Sequence, residues 1–302
     1  MARQGQAKKK LGFLSSGSFK ELEKPVTAFH RGMKDTGFVE NKNVKITYQW
    51  ANHDLERLPE LARKLVEAGV DVIAATGGIA AAQAAVNATR NPSAPKQVRV
   101  VFVCGSNPVG ANDRVGGPSG NVTGVTTSTA ESLPDRLKLL EKMVNNKRVV
   151  ALLTNPTSAF ARQEAQKGGG APILEASSDA ELKERFAEAK QRGYAVLVGA
   201  DTFFTCKRDR IIALARQSKV PTAYAFRDYV DADGLMSYGP SLTNAYRQAG
   251  LYVGKILGDE TDVDLPVLKP NCFELVINLK TAKALKIDVP LELLARADHV
   301  IR

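Results

Sequence analysis

A carboxylate and two aromatic rings follow an apolar run in the second half of the sequence. Residues Ala195–Val198 are short, apolar and follow a helical pattern, which predicts a buried strand. Ligands of open α/β sheets bind beside the carboxyl ends of such strands. Asp201 is therefore placed to meet a cationic or hydroxyl group, with Phe203 and Phe204 lining an apolar pocket. Alternatively, Asp201 caps the next helix and the rings belong to the core, and the sequence leaves both interpretations open.

Strand-like and helical segments alternate along the whole chain. Strand patterns fall at 11–14, 44–50, 70–75, 98–103, 122–127, 149–154, 172–175, 195–198, 222–226, 235–238 and 273–278. Helical patterns fall at 25–36, 55–68, 79–89, 131–144, 159–167, 179–192, 209–218 and 242–257, with helical turns towards the C-terminus. This alternation predicts an α/β fold in which parallel sheets carry helices on both faces.

The alternation restarts near 121–131, which predicts two doubly wound parallel-sheet lobes. We expect a multi-strand hinge to join them and a ligand cleft to lie between them. The expected division gives the first lobe residues 11–126 and about 240–265, and the second lobe residues 127–239 and about 266–302. Residues 1–10 are polar and basic, and we expect them to be disordered or added by cloning.

Loops rich in small and hydroxyl-bearing residues follow three strands of the first lobe. They hold the candidate ligand-binding residues Ser15, Ser16, Thr76, Gly77, Gly78, Ser106 and Asn107. Small residues let backbone N–H groups approach a ligand, and a helix N-terminus favours negative charge, so these loops suit a carboxylate. Any single serine is better explained as an ordinary turn or cap residue, whereas three such loops in register favour a binding site.

The corresponding loops of the second lobe carry an acid and aromatic rings. Their candidate ligand-binding residues are Asp201, Phe203, Phe204, Phe226 and Tyr238. A ligand with a carboxylate, an aromatic body and an amine would satisfy both lobes. Nucleophile-elbow, zinc-protease, Rossmann and Walker A motifs are all missing from the sequence, so we expect no catalytic residue, no metal site and no cofactor.

Composition is that of a globular protein large enough for two cores. The chain has 302 residues, of which 44% are hydrophobic and 25% charged. Its net charge of +10 is spread along helical segments and mixed with acids, which favours a solvated surface over a nucleic-acid site.

The three cysteines are far apart and lack metal-ligand spacing. No apolar secretion signal follows the basic start, which is compatible with a cytoplasmic protein or with a signal already removed.

Short motifs spread from residue 11 almost to the C-terminus match one known family. They are LGFLSSG at 11–17, GFVE at 37–40, LPELA at 58–62, VDVI at 70–73, GNVTGV at 120–125, LVGAD at 197–201, GLMSYG at 234–239, FELVINLKTA at 273–282 and LARAD at 294–298. With these motifs the chain resembles the ABC transporter substrate-binding proteins, a family that includes tryptophan- and phenylalanine-binding lipoproteins. Their fold is that of the type 1 periplasmic binding proteins.

This resemblance implies a non-enzymatic protein, periplasmic or membrane-anchored outside the cytoplasm. It would capture a small molecule by hinge closure, hand it to an ABC permease, bind no nucleic acid and act as a monomer. The resemblance also implies ligand contacts at Ser16, at the loop 76–78 and at Asp201, whose carboxylate would meet an amine. Two departures stand out: the segment 156–171 is short, and Asn107 replaces an acid that many relatives have, which favours an aromatic carboxylate without an amine.

Two other functions share this fold. The ligand-sensing core of a LacI-like transcription regulator needs a DNA-binding helix pair before the first strand, but only ten residues precede Leu11. An enzyme of the same fold needs a positioned acid–base pair, whereas the strand-end loops show a single acid, Asp201.

Overall fold

The chain folds into two compact α/β units. The computed structural model describes residues 8–90, 97–105, 108, 121–127, 129–158, 161–258, 265–270 and 273–302. The first unit comprises Met1–Thr127 and Leu242–Pro270, and the second comprises Ser128–Ser241 and Asn271–Arg302.

Strands and helices alternate as the sequence pattern predicts. The strands are β1 (Lys9–Ser15), β2 (Val44–Trp50), β3 (Val72–Thr76), β4 (Arg99–Cys104), β5 (Val122–Thr126), β6 (Val150–Thr154), β7 (Ile173–Glu175), β8 (Ala195–Val198), β9 (Thr222–Tyr224), β10 (Met236–Pro240), β11 (Phe273–Asn278) and β12 (His299–Ile301). The helices are α1 (Phe19–Asp35), α2 (Leu58–Glu67), α3 (Ile79–Thr89), α4 (Leu133–Met143), α5 (Ala161–Lys167), α6 (Asp179–Arg192), α7 (Thr202–Cys206), α8 (Arg208–Ser218), α9 (Arg227–Asp231), α10 (Leu242–Leu257), α11 (Leu279–Ala284) and α12 (Leu291–Arg296), with a 3-10 turn at Leu55–Arg57 before α2.

The first unit is a five-stranded parallel sheet covered on both faces. Its strand order is β2-β1-β3-β4-β5. Apolar residues of α1 and α10 pack on one face, and those of α2 and α3 pack on the other. Strands β3 and β5 are buried along their whole length, because a parallel sheet between two helix layers has no solvent-facing side.

The second unit is built on a seven-stranded sheet of order β12-β11-β10-β9-β8-β6-β7. All neighbouring strands are parallel except β10 and β11, which run antiparallel. Helices α4, α11 and α12 contribute to the core on one face, and α6 and α8 contribute to the core on the other. The sheets and their helix layers confirm the predicted α/β class with two doubly wound sheets.

The segment 266–270 lies in the first unit, although the sequence pattern predicted it in the second. The backbone explains the difference: Leu268 donates its N–H to the Gly124 carbonyl at 2.9 Å, and its carbonyl accepts the Thr126 N–H at 2.8 Å. These bonds join the segment to the edge of β5. At the other end, β1 already begins at Lys9, so Lys9 and Lys10 are part of the sheet and not of a disordered tail. The expectation for residues 1–7 lies outside the described residues.

Helix α1 begins at Phe19, although the sequence pattern predicted a start close to Pro25. A capping box at Ser18 and Glu21 starts the helix earlier. The Glu21 carboxylate accepts the Ser18 backbone N–H at 3.1 Å and the Ser18 hydroxyl at 2.8 Å. It also contacts the His53 imidazole at 2.8 Å, so it ties the start of α1 to the segment that follows β2. Pro25 therefore lies inside the helix and packs in the core.

Replacing Glu21 with Ala should lower the free energy of unfolding by about 1 kcal/mol, since the cap of α1 is lost. Partial burial alone would raise the pKa of Glu21, but the hydrogen bonds from Ser18 and the contact with His53 lower it below the usual 4.5. A lowered pKa stabilises the folded state above the pKa of the unfolded chain, and this contribution disappears as the pH falls through the folded-state value. Urea unfolding at several pH values measures both effects.

The matched control is Glu23→Ala, which makes the same change on the exposed face of the same helix. Equal losses of stability in the two variants, or a loss at Glu21 that persists in acid, would contradict this role of the capping box.

Candidate functional site

Asp201 lies just beyond the carboxyl end of β8 and caps helix α7. Its Oδ1 accepts the backbone N–H of Phe203 at 2.8 Å and the side-chain N–H of Asn155 at 2.9 Å. The cap interpretation of the sequence is therefore correct for one carboxylate oxygen. The second oxygen, Oδ2, accepts no hydrogen bond from the residues that the structure describes, and the side chain is half-buried. Helix capping thus leaves one oxygen of Asp201 available to a ligand.

The Asn155 side chain is fixed by its neighbours in the loop after β6. Its Oδ1 accepts the Thr157 backbone N–H at 3.1 Å and the Thr157 hydroxyl at 2.8 Å. Because the oxygen is used in this way, the amide nitrogen must point to Asp201. Asn155 therefore donates to the carboxylate and holds it at the edge of the sheet.

A second carboxylate, that of Glu164 on α5, is hydrogen-bonded to the same segment. Its Oε1 accepts the backbone N–H of Ala200, the residue before Asp201, at 2.7 Å. A Cβ on Gly199 would come within 2.6 Å of the Glu164 Oε2 and within 2.9 Å of the Leu153 carbonyl oxygen, and because the latter is backbone the position favours glycine. Glu164 is 2% exposed, which makes it a buried acid next to the candidate ligand contact.

A buried arginine, Arg136 on α4, balances part of this negative charge. Arg136 is fully buried and donates from Nη1 to the Ser132 hydroxyl at 2.9 Å. Burial lowers the pKa of Arg136 to about 10, while the negative charge of Glu164 opposes that shift. Burial raises the pKa of Glu164, the Ala200 amide and Arg136 lower it, and Asp201 raises it further. Glu164 thus interacts electrostatically with both Arg136 and Asp201.

The four aromatic candidates of this unit have different environments. Phe203 is half-buried and its ring packs against Phe204, with centroids 5.6 Å apart. Phe226 is half-buried at the start of α9, and Tyr238 on β10 stacks on Phe273 with centroids 5.8 Å apart. Phe204 is fully buried in the core beside α6 and α8. We therefore correct the sequence-based assignment of Phe204, because its ring is a core side chain and not an exposed wall.

In the first unit, the hydroxyls of the predicted anion site bond to the protein's own backbone. Ser15 pairs with Thr76 across β1 and β3, so the two candidate loops lie side by side. The Ser16 hydroxyl donates to the Gly77 carbonyl, Thr76 donates to the Leu14 carbonyl at 3.4 Å, and Ser15 accepts the Gly17 N–H at 3.3 Å. All three hydroxyls are buried and stabilise the loops. The expectation for Ser106 and Asn107 lies outside the described residues.

Gly77 and Gly78 bring the backbone to the N-terminus of α3. Both have positive φ, +80° and +115°, and Gly78 is the N-cap of the helix. A Cβ on Gly77 would come within 2.6 Å of the Ser16 hydroxyl and 2.8 Å of the Ser15 hydroxyl, so the position requires glycine. Within the described part of the chain, no group accepts the N–H of either glycine. These amides lie at a helix N-terminus, where negative charge is favoured.

An aromatic pair that was not predicted from the sequence lies next to the Ser15 loop. Trp50 ends β2 opposite Ser15, its ring is half-buried, and Phe19 packs edge-on against it with centroids 6.0 Å apart. Phe19 is 55% exposed, which is unusual for a large apolar side chain. The sequence signal for this pair was Trp50, an aromatic residue at the end of the predicted strand 44–50.

Arg136 and Glu164 were missed as well. The signal for Arg136 was its position among Leu133, Leu137, Leu140 and Met143, which places it on the apolar stripe of a predicted helix. Across the described ranges, no group of three histidine, cysteine or acidic side chains is arranged to bind a metal ion. Nor does any helix of those ranges have the length and apolarity needed to cross a membrane.

Sequence comparison relates the chain to binding proteins. A family model described as ABC transporter substrate binding protein matches residues 18–301. A tyrosine-binding protein of Clostridioides difficile is 23% identical over 287 residues, which cover 92% of this chain and 81% of that relative. Members of this family are extracytoplasmic proteins that bind small molecules and interact with ABC permeases.

Comparison with solved structures gives the same fold, that of the type 1 periplasmic binding proteins. The ABC domain from Streptococcus pneumonia in complex with L-Trp is 21% identical with a TM-score of 0.83, and the match covers 98% of this chain and 100% of that one. A conserved domain protein from Vibrio cholerae is 24% identical with a TM-score of 0.79 and the same coverage. The family match over nearly the whole chain decides the identity: this protein belongs to the ABC transporter substrate-binding protein family.

Proposed function

We propose that this protein is the solute-binding component of an ABC importer for an aromatic amino acid or a related aromatic carboxylate. The observation that carries the proposal is the Oδ2 atom of Asp201, a carboxylate oxygen without a hydrogen bond from the described residues, at the carboxyl edge of β8. Half-buried rings of the same unit, Phe203, Phe226 and Tyr238, support an aromatic ligand. The names of two relatives, a tyrosine-binding protein and a structure in complex with L-Trp, support the same ligand class.

The first unit has a feature of its own that suits a carboxylate. Gly77 and Gly78 present amides without acceptors in the described chain at the N-terminus of α3, and a ligand carboxylate supplies the negative charge that such a terminus favours. Trp50 and Phe19 provide rings next to these loops. Ser15, Ser16 and Thr76 hold the loops in place and contribute through the backbone.

The finer parts of the proposal rest on the family. We propose a periplasmic or membrane-anchored monomer that delivers its ligand to the permease, binds no nucleic acid and catalyses no reaction. Capture by hinge closure belongs to the same proposal, and small-angle scattering with and without L-tyrosine tests it through the radius of gyration.

Asp201→Asn should weaken binding of L-tyrosine and L-tryptophan by about tenfold to a hundredfold. Asparagine still caps α7 through its side-chain oxygen, so the variant removes the charge while keeping the fold. Analogues with hydrogen in place of the α-amino group should bind the variant and the wild type alike. Isothermal titration calorimetry measures the affinities of these four compounds for both proteins.

Asp179→Asn is the matched control, because Asp179 is an exposed acid in the first turn of α6 and pairs with Lys207 in the same unit. It should leave every affinity unchanged. If Asp201→Asn also left them unchanged, Asp201 would not contact the ligand.

Gly77→Ala should reduce both the stability and the affinity for aromatic carboxylates. The new Cβ combines a strained backbone, at φ +80°, with contacts to the Ser15 and Ser16 hydroxyls. We expect a loss of about 1–3 kcal/mol in the free energy of unfolding. Urea unfolding and calorimetry measure the two effects.

Gly193→Ala separates crowding from backbone strain. Gly193, at the end of α6, has a similar φ of +68°, but a Cβ at this position would meet nothing within 4 Å. The variant should lose less stability than Gly77→Ala and keep its affinity. Equal affinities in the two variants would remove the Gly77 loop from the site.

A further inference from the structure

Two aromatic side chains, Trp50 and Phe19, lie at the carboxyl edge of the sheet in the first unit. Trp50 ends β2 and is half-buried, whereas Phe19 begins α1 and is 55% exposed. Their rings pack edge-on with centroids 6.0 Å apart, and Phe19 belongs to neither core cluster of the unit. Aromatic surface is therefore left open at the edge where ligands of α/β sheets bind.

Other rings hold Trp50 in place from inside the unit. Phe13 on β1 packs against it with centroids 5.3 Å apart, and Tyr48 stacks on it at 6.2 Å with ring planes only 6° from parallel. The Tyr48 hydroxyl is fixed in turn, since it donates to the Glu40 carboxylate at 3.1 Å and contacts His30 Nε2 at 3.0 Å. Because these contacts already order the Trp50 ring, little conformational freedom is lost when a second ring packs on it.

The turn after β2 is bonded to the loop after β1. The backbone N–H of His53 donates to the Ser16 carbonyl at 2.7 Å, and that of Asn52 donates to the Gly17 carbonyl at 3.3 Å. Asn52 and His53 reach these carbonyls with φ of +50° and +71°, a conformation uncommon for residues other than glycine. Since the Ser16 hydroxyl donates to the Gly77 carbonyl, backbone contacts connect the aromatic pair to the glycine loop.

Strand register gives the spacing between the rings and that loop. Ser15 on β1 pairs with Trp50 on one side and with Thr76 on the other. Neighbouring strands are about 4.8 Å apart, so the backbones of Trp50 and Thr76 are separated by about 10 Å. The amides of Gly77 and Gly78 follow directly after Thr76. An aromatic carboxylate carries its charge at one end and its ring at the other, so one molecule of this class can reach both features.

We propose that the aromatic ring of the ligand stacks on Trp50, beside Phe19, and that this pair determines the preference for aromatic ligands. The inference rests on the proposed function and deepens it, because it assigns recognition of the ring to two residues of the first unit. The carboxylate of the same ligand lies at the Gly77 loop of that unit.

The test measures whether binding prefers an aromatic ring to a saturated ring with the same polar ends. The ligand pairs are L-phenylalanine with L-cyclohexylalanine, and phenylacetate with cyclohexylacetate. Calorimetry gives the affinity ratio within each pair. W50L should lower this ratio about fivefold, because leucine has no ring face on which to stack. W50F should keep the ratio within about twofold of wild type, since phenylalanine still presents a ring.

F38L is the matched control, because Phe38 is a half-buried aromatic residue that follows the opposite end of α1. It should leave the ratio unchanged. A purely structural role of Trp50 predicts that W50L weakens both members of each pair equally. The ratio would then stay at its wild-type value, and that result would contradict the inference.

Two further outcomes separate this inference from the proposed function. If the wild type bound none of L-phenylalanine, L-tyrosine, L-tryptophan and phenylacetate, the proposed function would be wrong. If the wild type bound them and W50L kept the wild-type ratio, only the inference would be wrong.

Fluorescence of the wild type decides the matter if W50L does not fold or the saturated analogues do not bind. Trp50 is the only tryptophan of the chain, so the indole emission reports on this ring alone. An iodine atom quenches indole emission at close contact. Saturation with para- or meta-iodo-L-phenylalanine, whichever binds more tightly, should remove most of the emission that remains with L-phenylalanine. Equal emission with the two ligands would contradict the inference.

Discussion

Parallel pairing of neighbouring strands is the constraint on which the candidate site depends. β6 and β8 are paired from Val150 and Ala195 to Leu153 and Val198, so they end side by side and their following segments begin at one edge of the sheet. This brings Asn155 within 2.9 Å of Asp201, although 46 positions separate them in the chain. The pairing of Ser15 with Thr76 does the same in the first unit, where it places the Ser16 and Gly77 loops in contact.

The two units use this edge in chemically different ways. In the first unit the side-chain hydroxyls bond to the backbone, and what remains for a ligand is the pair of amides at Gly77 and Gly78. In the second unit the backbone amides near Asp201 are already bonded, to Glu164 and to Asp201 itself, and what remains is carboxylate charge. The strand-end segments of the first unit therefore offer donors that suit an anion, and those of the second unit offer an acceptor that suits a cation.

Those parts of the fold in which apolar residues recur with a clear helical or strand period could be predicted from the sequence. Ile79–Thr89 and Leu242–Leu257 occur at the predicted residues, since a continuous helical pattern fixes both ends. Three short elements were not predicted, because they have too few residues to show a period: the helices Thr202–Cys206 and Arg227–Asp231 and the strand His299–Ile301.

The candidate site could also be predicted only in part. Asp201 was found because a polar residue after an apolar strand is a local signal, whereas Glu164 was missed because its role depends on residues that are near it only in the folded unit.

Stability alone does not explain why this chain buries an arginine and a glutamate beneath the Asp201 segment. Position 136 lies on the apolar stripe of α4, where an aliphatic side chain would pack among the leucines without a desolvation cost. The pair is also incompletely satisfied, since two guanidinium nitrogens lack acceptors in the described chain. An apolar pair would fill the same space without that cost. It could not replace the one contact in which Glu164 is used, because its carboxylate accepts the Ala200 N–H and so fixes the backbone immediately before Asp201.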